Sequence, residues 1–232
     1  MGFVVLPASI PDIRKVYDVY FAAFENSFIT RLLFPWDVTS EEFRKGHTAH
    51  TLDYWHKDTV QYTCKCVDTD TDEIVGMGLW DVHWKERKGG ATKPAVDWLE
   101  GDQRRRAEDL IVPLWEKKEE LLGPAKHVYC HVIAVDPKYQ RRGIGAMLTK
   151  WGVDVAEQLQ VPAYLEATDE SVSVYRKQGF GVLSKGVRIK AELMDAEHDA
   201  DAPIMARMPS SAGDLKFEDW VQQGRPPLTT RN

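Results

Sequence analysis

A run of basic and glycine residues at positions 140–146 has the composition of a site for a phosphorylated ligand. The run reads Gln140, Arg141, Arg142, Gly143, Ile144, Gly145 and Ala146. It follows the apolar stretch 127–135, which is typical of a buried strand, and apolar residues with helical spacing come after it. A helix start leaves its first N–H groups without intrahelical acceptors and carries partial positive charge. Because the glycines let a phosphate approach the backbone and the arginines add charge, the run predicts a pyrophosphate-binding loop.

Two common phosphate-binding motifs do not fit this loop. A dinucleotide-binding motif would place a third glycine where Leu148 stands, and a P-loop would end in Gly-Lys-Ser/Thr. The run 140–146 resembles instead the acetyl-CoA signature Gln/Arg-x-x-Gly-x-Gly/Ala of the GCN5-related N-acetyltransferase superfamily. A second segment agrees with this: the strand-like residues 163–168 precede 171–180, which is similar to the family motif that ends in Tyr-x-x-x-Gly-Phe.

The resemblance is close over residues 128–180, and the preceding helices and hairpin fit the fold more loosely. The sequences at 139–143 and 165–167 are similar to a branch of the superfamily that is common in filamentous fungi. A structural strand-turn-helix with incidental glycines is the alternative. Two matching motifs at the family's separation favour the acetyltransferase over that alternative.

The resemblance implies acetyl-CoA as co-substrate and assigns a part to each residue of the loop. The backbone N–H groups from Arg141 to Ala146 would hold the pyrophosphate, and Gln140 opens the signature. The pantetheine arm would lie along β-strand residues like an added strand. These residues are Ile133, Ala134 and Val135.

The second motif implies that Tyr175 is the general acid that protonates the departing thiolate. An aromatic residue at helical spacing from Val172 can also be part of a core, but its place in the motif favours the cofactor thiol. Two positions depart from the family pattern. Thr168 stands where many members have Asn, and Ser171 stands where they often have Ala. The change at Thr168 puts a contact with the cofactor arm or the substrate in doubt.

Attack of an amine on a thioester requires a neutral nitrogen, so a base or a water relay must accept a proton. Histidine is a common catalytic base, and strand alternation places His131 on the face of Ile133; a structural strand histidine is the alternative. Glu166 ends a neighbouring strand where the sheet must splay to admit the cofactor. It would act through water or pair with an arginine. Asp81 and His83 are weaker candidates for the base. A reaction in which water alone accepts the proton, without a dedicated base, is a further alternative.

The bulk composition excludes several classes of protein. A net charge of −6 over 232 residues argues against a dedicated nucleic-acid binder. No apolar stretch approaches the 18 or so residues of a membrane-spanning helix, and the N-terminus lacks the basic region of a signal peptide. The three cysteines form no disulfide framework, so reduced core thiols and a cytoplasmic location are expected.

The order of elements indicates a mixed α/β domain, and the resemblance implies a central, mostly antiparallel twisted sheet flanked by helices. We expect strands at 2–6, 59–67, 74–84, 127–135 and 161–168, helices at 10–26, 39–57, 144–160 and 170–178, and a closing hairpin from 187–193 and 203–208. Residues 1–209 would form a single acetyltransferase domain, with a helical insertion at 85–126 and the acetyl-CoA-binding core at 128–180. Residues 210–232 would be a polar tail that frays.

The acceptor side is expected to be built by the first helices, the hairpin and the insertion. Aromatic residues are frequent there: Phe28, Phe34, Trp36, Tyr54, Trp55, Trp80, Trp84 and Trp98. Such a lining favours a small, partly apolar amine, and the acidic balance suits a cationic one. No metal site is expected, since Asp53 and His56 would be only a pair on a helix face.

The leading hypothesis is an acetyl-CoA-dependent N-acetyltransferase that acetylates the primary amine of a small molecule, such as a xenobiotic or a metabolite, by direct attack on the thioester. One alternative acts on protein lysines or N-termini. Another is a non-catalytic module that binds acyl-CoA. The chain would act as a monomer or a homodimer, without nucleic-acid or membrane partners.

Overall fold

The structure is a computed structural model that describes residues 2–55, 57 and 59–228. It divides into two compact units. The first contains the chain up to Val82 together with Cys130–Val153, and the second contains His83–Tyr129 and the chain from Asp154 onward. The predicted fold class is confirmed: the chain is mixed α/β, with a mostly antiparallel sheet flanked by helices. Among the described residues, no helix combines the length and the apolar character needed to cross a membrane.

The elements follow one another in an order close to the predicted one. They are β1 (Phe3–Pro7), α1 (Ile13–Ala23), α2 (Phe28–Leu33), α3 (Glu41–Trp55), β2 (Gln61–Asp68), β3 (Glu73–His83), α4 (Gly101–Leu122), β4 (His127–Val135), α5 (Ile144–Leu159), β5 (Ala163–Glu166), α6 (Val172–Lys177), β6 (Gly181–Val182), β7 (Val187–Ile189), α7 (Ala191–Met194), β8 (Ala200–Ala202), β9 (Ile204–Arg207) and α8 (Phe217–Gln222). The predicted helix at 10–26 is shorter in the structure, because Ile10–Asp12 form a 3-10 turn and α1 ends at Ala23.

In the first unit the strands lie in the order β1-β2-β3-β4. β1 runs antiparallel to β2, and β2 runs antiparallel to β3 with Tyr62 opposite Trp80. One face of this sheet is covered by α1, whose Val16 and Val19 pack with Met77 of β3 and Ala134 of β4. Burial of this apolar face provides most of the stability of such a helix.

The opposite face of the same sheet holds α5 through two glycines. A Cβ placed on Gly76 in β3 would lie 2.8 Å from Ile144 Cγ2 and 3.0 Å from Leu148 Cδ1. A Cβ on Gly152 in α5 would lie 2.4 Å from the ring of Trp80. The missing side chains therefore let α5 approach the strand closely, and this fixes where the helix begins.

In the second unit the strands lie in the order β4-β5-β9-β6, and β7 and β8 form a separate two-stranded sheet. β5 and β9 are antiparallel, with Tyr164 opposite Ala206. The core of this unit joins α4, the sheet and α8; its buried members are Leu121, Leu122, Tyr164, Val187, Ile204, Ala206, Phe217 and Trp220. The apolar face of the 85–126 segment is thus part of this core.

The predicted closing hairpin is wrong. β7 pairs with β8 in its own small sheet, whereas β9 pairs with β5 and β6. The cause is the acidic segment between them, which is folded rather than an open loop. The carboxylate of Asp199 accepts a hydrogen bond from the Ala191 N–H (2.8 Å) and lies 3.3 Å from Arg188 Nε. These contacts hold the segment against β7.

The region after Ser210 also differs from the expected fraying tail. Phe217 and Trp220, three residues apart on α8, are both buried, with 5% and 2% of their surface exposed. The Trp220 indole N–H donates to the Pro226 carbonyl (2.8 Å), and Arg225 Nε donates to the Leu121 carbonyl at the end of α4 (2.8 Å). A few apolar residues in a polar stretch are enough to dock it. Thr229 to Asn232 lie outside the described residues.

Candidate active site

The strand that leads into the 140–146 loop keeps its pairing up to the turn. The Asp136 N–H donates to the Val75 carbonyl of β3 (3.0 Å), and the Asp136 carboxylate accepts from the Lys138 N–H (2.8 Å). Pro137 has no N–H to continue the ladder, so β4 ends here and a 3-10 turn follows. The two hydrogen bonds of Asp136 therefore fix the position at which β4 ends.

The backbone at the start of the loop has the alternating handedness of an anion-binding nest. Arg141 has φ 62° and Gly143 has φ 86°, whereas Arg142 between them is not among the residues with positive φ. This alternation turns successive N–H groups toward one side. The Gln140 side-chain amide donates to the Val135 carbonyl (3.4 Å) and ties the loop to the end of β4. Positive φ in a non-glycine residue such as Arg141 is uncommon and concentrates at functional sites.

The loop ends at the start of α5, where backbone N–H groups and open space coincide. The Met147 N–H donates to the Gly143 carbonyl (3.1 Å). The N–H groups of Ile144, Gly145 and Ala146 precede this first turn of the helix. A Cβ on Gly143 would meet no atom within 4 Å, and one on Gly145 would only touch a side chain at 4.0 Å. The residues present therefore fit a pyrophosphate group beside the backbone.

A cavity also lies beside Arg142. The cavity has a volume of about 440 Å³ and is lined by Asp68, Asp70, Thr71, Lys138, Tyr139 and Arg142. The Tyr139 hydroxyl donates to Glu73 Oε2 (2.9 Å), and this bond raises the pKa of the tyrosine. The Arg142 guanidinium lies 5.1 Å from the centre of the Tyr139 ring. The ring thus supports one of the two loop arginines.

The three strand residues assigned to the pantetheine arm have different surroundings. Ala134 is 1% exposed and faces α1. Ile133 points to the opposite face, because its Cδ1 lies 3.3 Å from a Cβ placed on Gly78, and Val135 Cγ2 lies 4.0 Å from one on Gly145. Ala134 could therefore contact a ligand only through its backbone.

His131 lies against Asp81, another candidate from the sequence. Its Nε2 lies 2.7 Å from Asp81 Oδ2, and the side chains are 30% and 13% exposed respectively. Alternation in β3 places Asp81 on the face of Met77, which packs against α1. The contact therefore draws the His131 ring toward the face of Asp81 rather than toward the face of Ile133, where alternation predicted it.

Glu166 and Tyr175 lie in the second unit. Glu166 Oε2 accepts a hydrogen bond from the Tyr129 hydroxyl (2.9 Å). Burial, together with the nearby Glu166 carboxylate, raises the pKa of Tyr164. Tyr175, in α6, is 9% exposed and its ring meets Phe180 edge-on with the centres 6.0 Å apart. The position that the sequence motif assigns to the general acid therefore holds a buried tyrosine.

The two positions that depart from the family pattern bond to each other. Ser171 Oγ donates to the Thr168 carbonyl (2.9 Å) and accepts from the Thr168 N–H (3.0 Å). These bonds close the turn that leads into α6. Ser171 therefore has a structural role, which the sequence comparison with the family's usual alanine did not reveal.

Comparison with known proteins agrees with this geometry. The profile of the acetyltransferase (GNAT) family matches residues 30–180, which is more than half of the chain. The chain belongs to that family. A protein named probable acyltransferase SID5, from Ajellomyces capsulatus, is 40% identical over 144 residues, covering 61% of this chain and 99% of that protein. The predicted resemblance to a fungal branch is therefore confirmed.

Solved structures of the acetyltransferase family share the fold. One is described as histone acetyltransferase HPA2 and related acetyltransferase from Corynebacterium glutamicum; it has a TM-score of 0.60 and 19% identity, covering 90% of this chain and 97% of that one. A mosquito arylalkylamine N-acetyltransferase like 5b has a TM-score of 0.59 and 15% identity, covering 89% and 100%. The family and its relatives identify this chain as an acyltransferase.

Two other described histidines lie beside aromatic rings. His83 stacks on His127 with the ring centres 4.3 Å apart. His47 lies among aromatic rings, with the centre of Tyr17 at 4.6 Å, and burial lowers its pKa to about 4. His56 is outside the described residues. Within the part of the chain that the structure describes, no three His, Cys, Asp or Glu residues group as metal ligands.

Proposed function

We propose that this acetyltransferase-family member binds acetyl-CoA at the 140–146 loop and transfers the acetyl group to the primary amine of a small molecule. The observation that carries the proposal is the nest at Arg141 and Gly143, which opens onto free space at the start of α5. Members of this family generally use acetyl-CoA, which supports the choice of cofactor. The pyrophosphate would be held by the loop N–H groups, and the arm by the backbone of residues 133–135.

The choice of a small acceptor is supported by exposed aromatic surface near the N-terminal helices. Trp36 is 50% exposed and its ring lies 6.2 Å from that of Phe43 in α3, while Tyr54 is 49% exposed. Aromatic side chains that remain open to solvent provide a surface for an apolar ligand with a polar end. The net charge of −6 favours a cationic amine over a neutral one.

The reaction requires that the acceptor nitrogen lose two protons and the leaving thiolate gain one. Acetyl-CoA supplies the acetyl group as a thioester. His131 or Glu166 would take a proton from the ammonium form of the acceptor, so that the nitrogen lone pair becomes available. Tyr175 would donate a proton to the thiolate as the carbon–sulfur bond breaks, a part that rests on its place in the motif. The second nitrogen proton then returns the tyrosine to its neutral form.

The experiment that tests the proposal measures free thiol release from acetyl-CoA with three sets of acceptors: aromatic and aliphatic small amines, lysine-containing peptides, and peptides with free N-termini. We expect turnover with members of the first set and none above background with the peptides. Turnover with peptides alone would replace the small acceptor with a protein. Tight CoA binding without turnover on any acceptor would favour a non-catalytic module.

A further inference from the structure

The contact between His131 and Asp81 is the least expected feature of the first unit. Asp81 is a carboxylate in the middle of a sheet, 9% exposed, and aspartate is depleted from strands. Burial of a carboxylate costs several kcal/mol unless a partner compensates it. Its partner is the His131 ring, with Nε2 2.7 Å from Oδ2. An arginine or lysine would be a permanent counter-ion, whereas a histidine pairs with full charge only when it is protonated.

A carboxylate fixes which nitrogen of a neutral imidazole carries the hydrogen. Because an ionised carboxylate only accepts, the His131 nitrogen that faces Asp81 must be the N–H, and the lone pair then resides on Nδ1. We infer that Asp81 is a positioning residue that holds His131 as the Nε2–H tautomer, so that Nδ1 takes the proton from the acceptor ammonium. This inference rests on the proposed function and goes beyond it, since it assigns the base and its partner.

The position of His131 along β4 suits this part. The proposed anchor for the pyrophosphate follows the end of β4, and an arm that runs back along the strand from Val135 extends toward His131. With about 3.3 Å of rise per residue, His131 lies roughly 13 Å of strand before Val135. The ring is also drawn to the face of β3 that packs against α1. Amine and base would therefore meet on the face of the sheet that α1 covers.

The proton balance of this step is closed by the chain's own residues. The acceptor ammonium loses one proton to His131 Nδ1, which becomes an imidazolium whose charge is offset by the Asp81 carboxylate. The nitrogen lone pair forms the new bond to the acetyl carbon as the carbon–sulfur bond breaks. The thiolate is protonated as described above, and His131 releases its proton to solvent after each turnover. Asp81 remains ionised throughout.

A structural ion pair is the competing account, and the same unit contains a matched control. Lys65 Nζ lies 2.7 Å from Asp12 Oδ2, with side chains 18% and 15% exposed. Asp12 is therefore a carboxylate of similar burial and pairing distance to Asp81. Asp12→Asn and Asp81→Asn remove the same charge from the same unit, but only the second removes the partner of His131.

The test combines nitrogen-15 NMR of the His131 ring, recorded at a pH where the spectrum shows the ring to be neutral, with steady-state kinetics. In the wild type we expect the Nε2–H tautomer. In Asp81→Asn we expect loss of that preference and a fall in kcat of roughly 100- to 1,000-fold, with the KM for acetyl-CoA unchanged. Asp12→Asn should keep the tautomer and kcat. Asp81→Glu should restore part of both.

The outcomes separate the inference from the proposed function. A wild-type ring in the Nδ1–H form, or evenly divided between tautomers, overturns the inference even if Asp81→Asn does not fold. Loss of stability in Asp81→Asn with kcat and tautomer unchanged makes the pair structural. If the wild type transfers acetyl to no acceptor, the proposed function fails while the tautomer measurement still reports on the pair.

Discussion

Gly152 of α5 lies directly against the indole of Trp80 in β3. A Cβ on Gly152 would come within 2.4 Å of two ring carbons and 2.5 Å of a third. Trp80 is fully buried and cannot swing away. The approach matters beyond stability, because α5 carries the proposed pyrophosphate-binding turn at its other end. The distance between helix and strand thus sets the position of the loop that precedes the helix.

Gly152→Ala should lower the free energy of unfolding by about 1–3 kcal/mol or more, because overpacking at a rigid contact forces the helix away from the sheet. Thermal or chemical unfolding followed by circular dichroism measures this. The matched control is Gly46→Ala in α3, where an added Cβ meets nothing within 4 Å. That change should be neutral or stabilising, as expected for alanine in a helix. Equal effects of the two substitutions would contradict the tight contact.

Glu157→Gln should cost stability near neutral pH and lose its effect in acid. Ser210, through its hydroxyl and N–H, and Arg207 hold the pKa of Glu157 at about 2, below its ordinary value of 4.5. A lowered folded-state pKa contributes stability above pH 4.5, and the contribution disappears as pH falls toward 2. The difference in unfolding free energy between wild type and variant should therefore narrow over that interval. The exposed Glu197→Gln control should show no such change; a pH-independent difference for Glu157 would refute the assignment.

The periodic elements of the fold were predictable because local pattern and tertiary contacts agree. The strand at 127–135 and the helix from Ile144 match β4 and α5 closely. The closing hairpin was wrong because Asp199 binds the backbone of α7, an interaction between residues eight apart that alternation does not encode. The docking of α8 depends on two aromatic residues in a polar segment.

Tyr175→Phe should leave CoA affinity and folding unchanged, since the ring and its contact with Phe180 remain. If the hydroxyl protonates the thiolate, acetyl transfer should fall by roughly 10- to 1,000-fold under conditions where chemistry limits the rate. Single-turnover measurement of thiol release tests this, with Tyr62→Phe, an exposed strand tyrosine, as the control that keeps full activity. Full activity of Tyr175→Phe would make the residue one of packing.

The loop is the part of the proposed site that the sequence alone suggests most clearly, because its chemistry resides in consecutive residues. Arginines, glycines and a helix start are all visible at 140–146. The His131–Asp81 pair joins two strands through a side-chain contact that breaks simple alternation, so spacing could not reveal it. The bond between Tyr129 and Glu166 likewise connects residues 37 apart in the chain.

The most direct measurement of the central claim is calorimetric titration of CoA into the wild type, Gly145→Gln and Gly145→Glu. Gly145 is preferable to Gly143, whose positive φ would strain any other residue. Both substitutions add similar volume where an added Cβ makes only an ordinary contact, but only glutamate places a negative charge beside the proposed pyrophosphate site. We expect binding by the wild type, weakened binding by Gly145→Gln and none by Gly145→Glu. Unchanged affinity in a folded Gly145→Glu variant would contradict the account.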